Sequence, residues 1–281
     1  MQETRLSVAL VTRNRPSSLE RTLISLRSQD VPPWETIISD DSDPEQAAIV
    51  RRLAAKYQCS YVSGPHHGLY ANRNHAALVC KGTHIRTVDD DHEFPAGHLS
   101  ECLKAIGQDP EAVWIIGEFL PDQDRSTGLV ECPGQLGPRG FSVPPPDPDD
   151  CWAISDGATI YPRKIFDLGL RFAEGFRFGA PYLEFGSRLH FLGYRIRQLK
   201  STYVIHHFDP LTRSLAEPEE EMAAEFFAML CHSFIYQPRL KNKALTMLQI
   251  ALMLLRRRGA AVRALGRAVV EYRRRRNSVV K

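Results

Sequence analysis

The chain has 281 residues, 43% hydrophobic and 25% charged, with a formal net charge of +3. That balance excludes a disordered or collagen-like chain. No apolar run reaches the roughly 18 residues that span a bilayer. The length suits one catalytic-sized domain plus an appendage. The net charge hides a division: residues 239–281 carry 13 Lys/Arg and one acid, Glu271, a net of +12, and the rest carries −9. An acidic body bearing a basic tail predicts two kinds of partner. Six cysteines without a CxxC pair read as reduced thiols of a cytosolic protein. The first residues show no basic segment followed by an apolar one, so no secretory signal is expected.

In chain order, the apolar, β-branched run at 5–12 predicts a buried strand. Leu19, Leu23, Ile24 and Leu26 stand near helical spacing within 17–29, after a cap at Ser17 or Ser18. A second strand is predicted at 35–39, closed by Asp40-Asp41-Ser42-Asp43-Pro44, then a helix at about 45–57 and a strand at 59–62. A helix near 69–80 and a strand at 83–88 lead into Asp89-Asp90-Asp91. This alternation predicts a mostly parallel α/β sheet covered by helices. Ligands of such sheets bind beyond the strand C-terminal ends, where both acidic clusters fall. Residues 121–150, rich in Pro, Gly and Asp, predict an irregular excursion, a candidate loop over that edge. Regular structure resumes at 152–208, and an acidic first turn at 217–221 opens a helical remainder.

Three adjacent carboxylates repel: two unit charges 4 Å apart interact by roughly 4 kcal/mol at an effective dielectric near 20. Strand alternation turns Asp89 and Asp91 one way and Asp90 the other. That geometry suits a divalent cation shared with a phosphorylated ligand, and oxygen donors favour Mg²⁺ or Mn²⁺. A solvated acidic turn is the simpler alternative for such a triplet taken alone.

The triplet does not stand alone. Val8 to Pro16 contains a strand and the turn Thr12-Arg13-Asn14-Arg15-Pro16; Leu19 to Leu26 follows it; then come Ile37 to Ser42, Gly68 to Asn74, and the aspartates. In this order and spacing, residues 5–95 resemble the family 2 glycosyltransferases of GT-A fold. The resemblance implies a GT-A catalytic domain over 1–212, divided into a nucleotide-sugar half (1–95) and an acceptor half (96–212), with a helical basic extension over 213–281. It further implies that Thr12 and Asp41 contact base and ribose, and that Arg73 lies near the diphosphate or base pocket. Asp89 faces ribose or metal, Asp90 sits in the nucleotide-sugar site, and Asp91 ligates the metal. Arg13 stands where the family has an aromatic residue; it either adds a cation to the nucleotide pocket or points outward. Residues 201–207 look like the family's late strand, which implies that His206 or His207 reaches metal and diphosphate.

Residues 189–196 resemble the helix that follows the family's catalytic acids, and here the chain departs from the pattern. Counting back from Arg188 places Tyr182 at the position of the base, with Glu184 the nearest acid. Tyrosine, with a pKa near 10, is a poor base at neutral pH. Glu184 is therefore the expected base, and Asp156 a weaker, acceptor-side candidate. The resemblance implies a metal-assisted, inverting transfer from a nucleotide-diphosphate sugar to a polysaccharide or lipid-linked acceptor. An inactive relative that binds nucleotide sugar or a membrane partner is the alternative. A nucleotidyltransferase is a second, although the first turn lacks the glycine its phosphate loop needs.

In the tail, the apolar run 244–255 meets Arg256-Arg257-Arg258, and a second apolar stretch ends at Arg273 to Arg276. Arginine-flanked apolar helices over 244–276 suit an anionic membrane surface, which predicts a cytoplasmic protein peripheral on the cytoplasmic face. Packing on the body or a dimer contact are the other readings. Nucleic acid is not expected, because aromatics other than Tyr272 are missing from the tail.

Overall fold

A computed structural model describes residues 3–121, 130–208 and 217–279. Its first 90 residues form β1 (Leu6–Thr12), α1 (Pro16–Arg27), β2 (Glu35–Asp40), α2 (Pro44–Lys56), β3 (Ser60–Ser63), α3 (Leu69–Val79) and β4 (His84–Asp89). The alternation read from the sequence is present throughout. α1 begins at Pro16 itself, whose fixed φ and missing N–H suit a first helical position, and no side chain caps it. The expected serine cap is thus replaced by proline.

Next come β5 (His92–Glu93), α4 (His98–Gln108), β6 (Val113–Phe119), β7 (Gln135–Leu136), β8 (Ser142–Val143), β9 (Thr159–Pro162), α5 (Lys164–Asp167), α6 (Pro181–Phe191) and β10 (Ile196–His206). Within 121–150, residues 122–129 lie outside the described residues, and β7 and β8 form a short hairpin. The main sheet has eight strands in the order β3-β2-β1-β4-β9-β6-β10-β5. β1 to β4 pair in parallel, while β9 and β5 run antiparallel to their neighbours.

Alternation along β1 divides the core. Val8 and Leu10 pack with Leu19 and Leu23 of α1, Val50 of α2 and Leu99 of α4. Ala9 and Val11 face the other way, toward Tyr70 and Ala76 of α3 and Phe185 and Leu189 of α6. Both faces are apolar because both are covered by helices.

The chain closes with α7 (Pro218–Cys231), a π-helical turn (His232–Tyr236) and α8 (Leu240–Val279). The expected boundary between 212 and 213 lies outside the described residues. α7 begins with Pro218 and an acidic first turn, Glu219 to Glu221. α8 is two arms joined at Arg258, whose φ of 41° and ψ of −118° break the helix. Phe226, Phe227 and Met229 of α7 pack against Ile250 in the first arm and Ala261, Ala264 and Ala268 in the second. Ala228 of α7 meets Ala180 and Leu183 beside α6. The basic extension is thus packed on the body for much of its length. No helix among the described residues is long and apolar enough to cross a membrane.

Candidate active site

Parallel pairing brings the ends of β1, β2 and β4 together: Thr12 is opposite Asp40, and Val11 opposite Asp89. At this edge lies a cavity of about 440 Å³, lined by Thr12, Arg13, Asp41, Asp89, Asp91 and His206 among others. The lining also includes Glu131 to Gly134 and Ser142 from the proline-rich excursion, together with Tyr182 and with Asp156, a close neighbour of Asp89.

The corner around Asp41 is built on close approach. The Asp41 Oδ1 accepts the His66 amide at 2.9 Å. A Cβ on Gly64 would lie 2.2 Å from that same oxygen, so this position needs glycine. Burial pushes the Asp41 carboxyl upward, opposed by the His66 bond and the charge of Arg13. Arg13 is exposed and lies on the cavity lining.

Two arginines serve the three aspartates, Arg73 for Asp89 and Arg15 for both Asp90 and Asp91. Asp89 accepts from Arg73 at 2.9 Å. Asp90 is fully buried off the lining, accepts the Thr12 hydroxyl at 2.6 Å and pairs with Arg15. Burial pushes its carboxyl up to about 7 despite Arg15. Asp91 pairs with Arg15 at 2.8 Å and lies 3.7 Å from the His206 ring. Burial alone would raise the Asp91 carboxyl; the His206 bond and the charges of His92 and Arg15 outweigh it and hold it well below the usual range. Crowding in the triplet is therefore relieved by the protein's own cations, and repulsion by itself does not demand a metal. Two expectations change here. Asp90 holds the turn to Thr12 instead of facing the ligand. Arg73, fully buried, sits behind the cavity and bridges Asp89 and, at 3.1 Å, Asp156.

The histidines also separate. His206 faces Asp91 and bonds Glu118 at 2.9 Å; His207 turns to Glu93 at 2.7 Å and is off the lining. Burial lowers His206, yet the two carboxylates raise it to about 10. Glu118, pushed up by burial but bound and faced by His206, is held down to about 2. His92 is the antiparallel register partner of His206. Asp91, His92 and His206 each offer a ligand atom, all within 4.8 Å of one another. The Asp91 Oδ1 and His92 Nδ1 are buried without a hydrogen-bond partner. With an orphaned atom on Asp91 and another on His92, and with His206 beside them once it gives up its proton, the set fits a single Mn²⁺- or Mg²⁺-sized cation, imidazole tilting it toward Mn²⁺. The sequence reading missed His92, Glu118 and Arg15. The acid ending the apolar run 113–119 and the histidine directly after the aspartates were the available signals.

Glu184, expected as the base, is fully buried off the cavity. It accepts the Tyr236 hydroxyl and lies 3.1 Å from Arg275 and 3.6 Å from Arg188. The reason is helical phase. Tyr182 lines the cavity, and two residues along a helix turn a side chain by about 200°. Asp156, the weaker candidate, does line the cavity. It accepts from Tyr70 at 3.3 Å, and burial raises it to about 6 against the pull of Arg73.

Three similarities bear on this arrangement. A β-1,3-glucosyltransferase acting on GalNAc(5)-diNAcBac-PP-undecaprenol, from Campylobacter jejuni, is 32% identical over 112 residues, 37% of this chain and 35% of the relative. The match thus spans about a third of that relative's length. The structure of S. aureus TarS 1–349 with UDP-GlcNAc superposes with a TM-score of 0.60 at 17% identity, covering 96% of this chain and 89% of that one. GalNAc-T7 with UDP, GalNAc and Mn²⁺ gives 0.67 at 16% identity, covering 86% of this chain and 51% of that one. Both share the GT-A fold with this chain. The family model for glycosyl transferase family 2 matches residues 7–168, more than half of the sequence, and the chain belongs to that family.

Proposed function

We propose that the protein transfers a sugar from a nucleotide-diphosphate donor to an acceptor hydroxyl, with inversion at the anomeric carbon. The observation that carries this reading is the convergence, in one cavity, of a base-and-ribose corner, a metal-and-diphosphate corner and an acceptor-side carboxylate. Thr12, Arg13 and Asp41 receive the nucleoside; a carboxylate accepts imide N–H groups and sugar hydroxyls. Asp91, His92 and His206 would hold Mg²⁺ or Mn²⁺, which neutralises charge growing on the leaving diphosphate. Arg15, a quarter or less exposed and paired to Asp91, adds a fixed cation beside that charge. Arg73 holds Asp89 and Asp156 in place from behind. Asp156 takes the acceptor proton. A carboxyl raised to about 6 is ionised at neutral pH yet basic enough for that task. Attack on the face of the anomeric carbon away from the leaving diphosphate inverts the centre.

The undecaprenol-linked acceptor in the name of the relative from Campylobacter jejuni supports a lipid-linked acceptor, which would be met at a membrane surface. UDP in the two superposed structures makes uridine the first nucleotide to test. One observation favours a second reading, a relative that binds nucleotide sugar without turnover: Tyr182 lines the cavity at the family's base position. Slow hydrolysis of nucleotide sugars with Mn²⁺ separates them. Hydrolysis lost in Asp91→Asn and Asp156→Asn supports transfer; tight binding with no turnover on water or any acceptor supports the binder.

A further inference from the structure

The two arms of α8 present different faces to solvent. The second arm is committed to the body, with Ala261, Ala264 and Ala268 buried and Arg275 reaching Glu184. The first arm is oriented by Thr246 and Ile250, both buried; the Thr246 hydroxyl donates to the Pro138 carbonyl at 2.6 Å. The opposite side of that arm must then face water, and it carries Leu240, Ala244, Met247, Leu248, Ala251 and Leu255, all exposed. Leu240 is 85% and Leu255 76% exposed. At 3.6 residues per turn these six positions fall within an arc of about 100°. A surface helix normally turns its polar side to water. Here the apolar stripe is outward and the helix is pinned by its other side, so the described residues of the body leave it uncovered.

The charges around the stripe say what does. Lys241 and Lys243 flank it, Arg239 precedes it, and Arg256, Arg257 and Arg258 close it. No Asp or Glu occurs between 239 and 258. We propose that this face, 239–258, lies in the headgroup region of an anionic bilayer. The stripe sits among acyl chains and the lysines and arginines lie over lipid phosphates, the arrangement of interfacial amphipathic helices. A second copy of this chain is disfavoured as occupant, because two such faces would oppose six cations to six. The structure thereby narrows the expected surface, 244–276, to the first arm. The inference rests on exposure and charge, independently of the transfer reading.

The test is cosedimentation of the full chain with vesicles of phosphatidylcholine, with and without 30 mol% phosphatidylglycerol. Binding is expected to the anionic vesicles, weakening as salt rises. The variant Met247→Gln/Leu248→Gln/Leu255→Gln should bind at least tenfold more weakly, and so should Lys241→Glu/Lys243→Glu. Both should keep a melting temperature close to the parent's, since Lys241, Met247, Leu248 and Leu255 are exposed and Lys243 only overlies the Phe234 ring at 5.8 Å. Equal binding to neutral vesicles overturns the proposal. So does undiminished binding by the triple glutamine variant, or a parent dimer that this variant converts to monomer. Failure of vesicle binding leaves sugar transfer untouched, and a chain inactive on sugars would still sediment.

Discussion

Replacing Glu184 with glutamine separates a structural role from a catalytic one. The carboxylate is fully buried and serves two guanidiniums, Arg275 at 3.1 Å and Arg188 at 3.6 Å. Their side chains are 16% and 3% exposed, so neither cation recovers much water when its partner is lost. Removing one member of a buried pair costs about 3–5 kcal/mol, chiefly because the remaining charge stays unpaired. The glutamine oxygen still accepts from Tyr236, so that bond adds little to the loss. A domain's total stability is about 5–15 kcal/mol, and the variant should forfeit a large share of it. At a slope of about 3 kcal/mol per molar urea, the midpoint should fall by roughly 1–1.7 M. Arg275→Ala leaves Glu184 with Arg188 and Tyr236, and should cost less. The double variant should be less destabilised than the sum, because removing Arg275 relieves the repulsion of two unpaired cations. Urea titration followed by tryptophan fluorescence and circular dichroism measures all three. Assayed well below its melting temperature, Glu184→Gln should keep its turnover, where loss of a general base would cost about 10²–10⁴-fold. A variant as stable as the parent but a hundredfold slower would refute the placement of Glu184 and restore it as the base.

Asp156→Asn should lower turnover by about 10²–10⁴-fold while leaving nucleotide binding intact. In the parent the carboxyl, raised by burial to about 6, is protonated as pH falls below that value, so kcat should decline on the acid side with a midpoint near 6; a profile flat down to pH 4.5 would remove Asp156 from the reaction. In a thermal-shift panel of UDP-, GDP-, CMP- and dTDP-sugars with Mn²⁺, the cognate nucleotide at a hundredfold over Kd should stabilise by about 2.7 kcal/mol. Asp91→Asn should abolish the Mn²⁺-dependent part of that shift. Gly64→Ala places a Cβ 2.2 Å from the Asp41 carboxylate and 2.6 Å from the Asn72 side chain. It should raise KM for the donor and lower stability by about 1–3 kcal/mol, and unchanged KM would argue against Asp41 as a nucleotide contact.

The sequence by itself determined the parallel half of the fold. The strands are short apolar runs, the helices carry apolar residues at near-helical spacing, and proline or acidic clusters mark the changes of direction, all within 10–15 residues of one another. Because parallel strands share one edge for their C-terminal ends, the residues just past each run (Thr12, Asp41, Asp89, Asp91) were bound to meet there. The strand alternation read for the aspartates stops short of Asp90, because β4 ends at Asp89 and Asp90 lies in the turn that follows, bound to Thr12. The tertiary structure alone decided whatever depends on the phase or register of distant segments. His92 meets His206 through antiparallel pairing of two strands 114 residues apart. Arg15 and Arg73 become partners of the aspartates only once α1 and α3 are seated. The rotation of α6 about its own axis sends Tyr182 to the cavity and Glu184 into the interior. The same holds for α8, where the residues that face water follow from which side Thr246 and Ile250 bury. A periodic pattern names the faces of a helix, and only packing chooses which of them meets solvent.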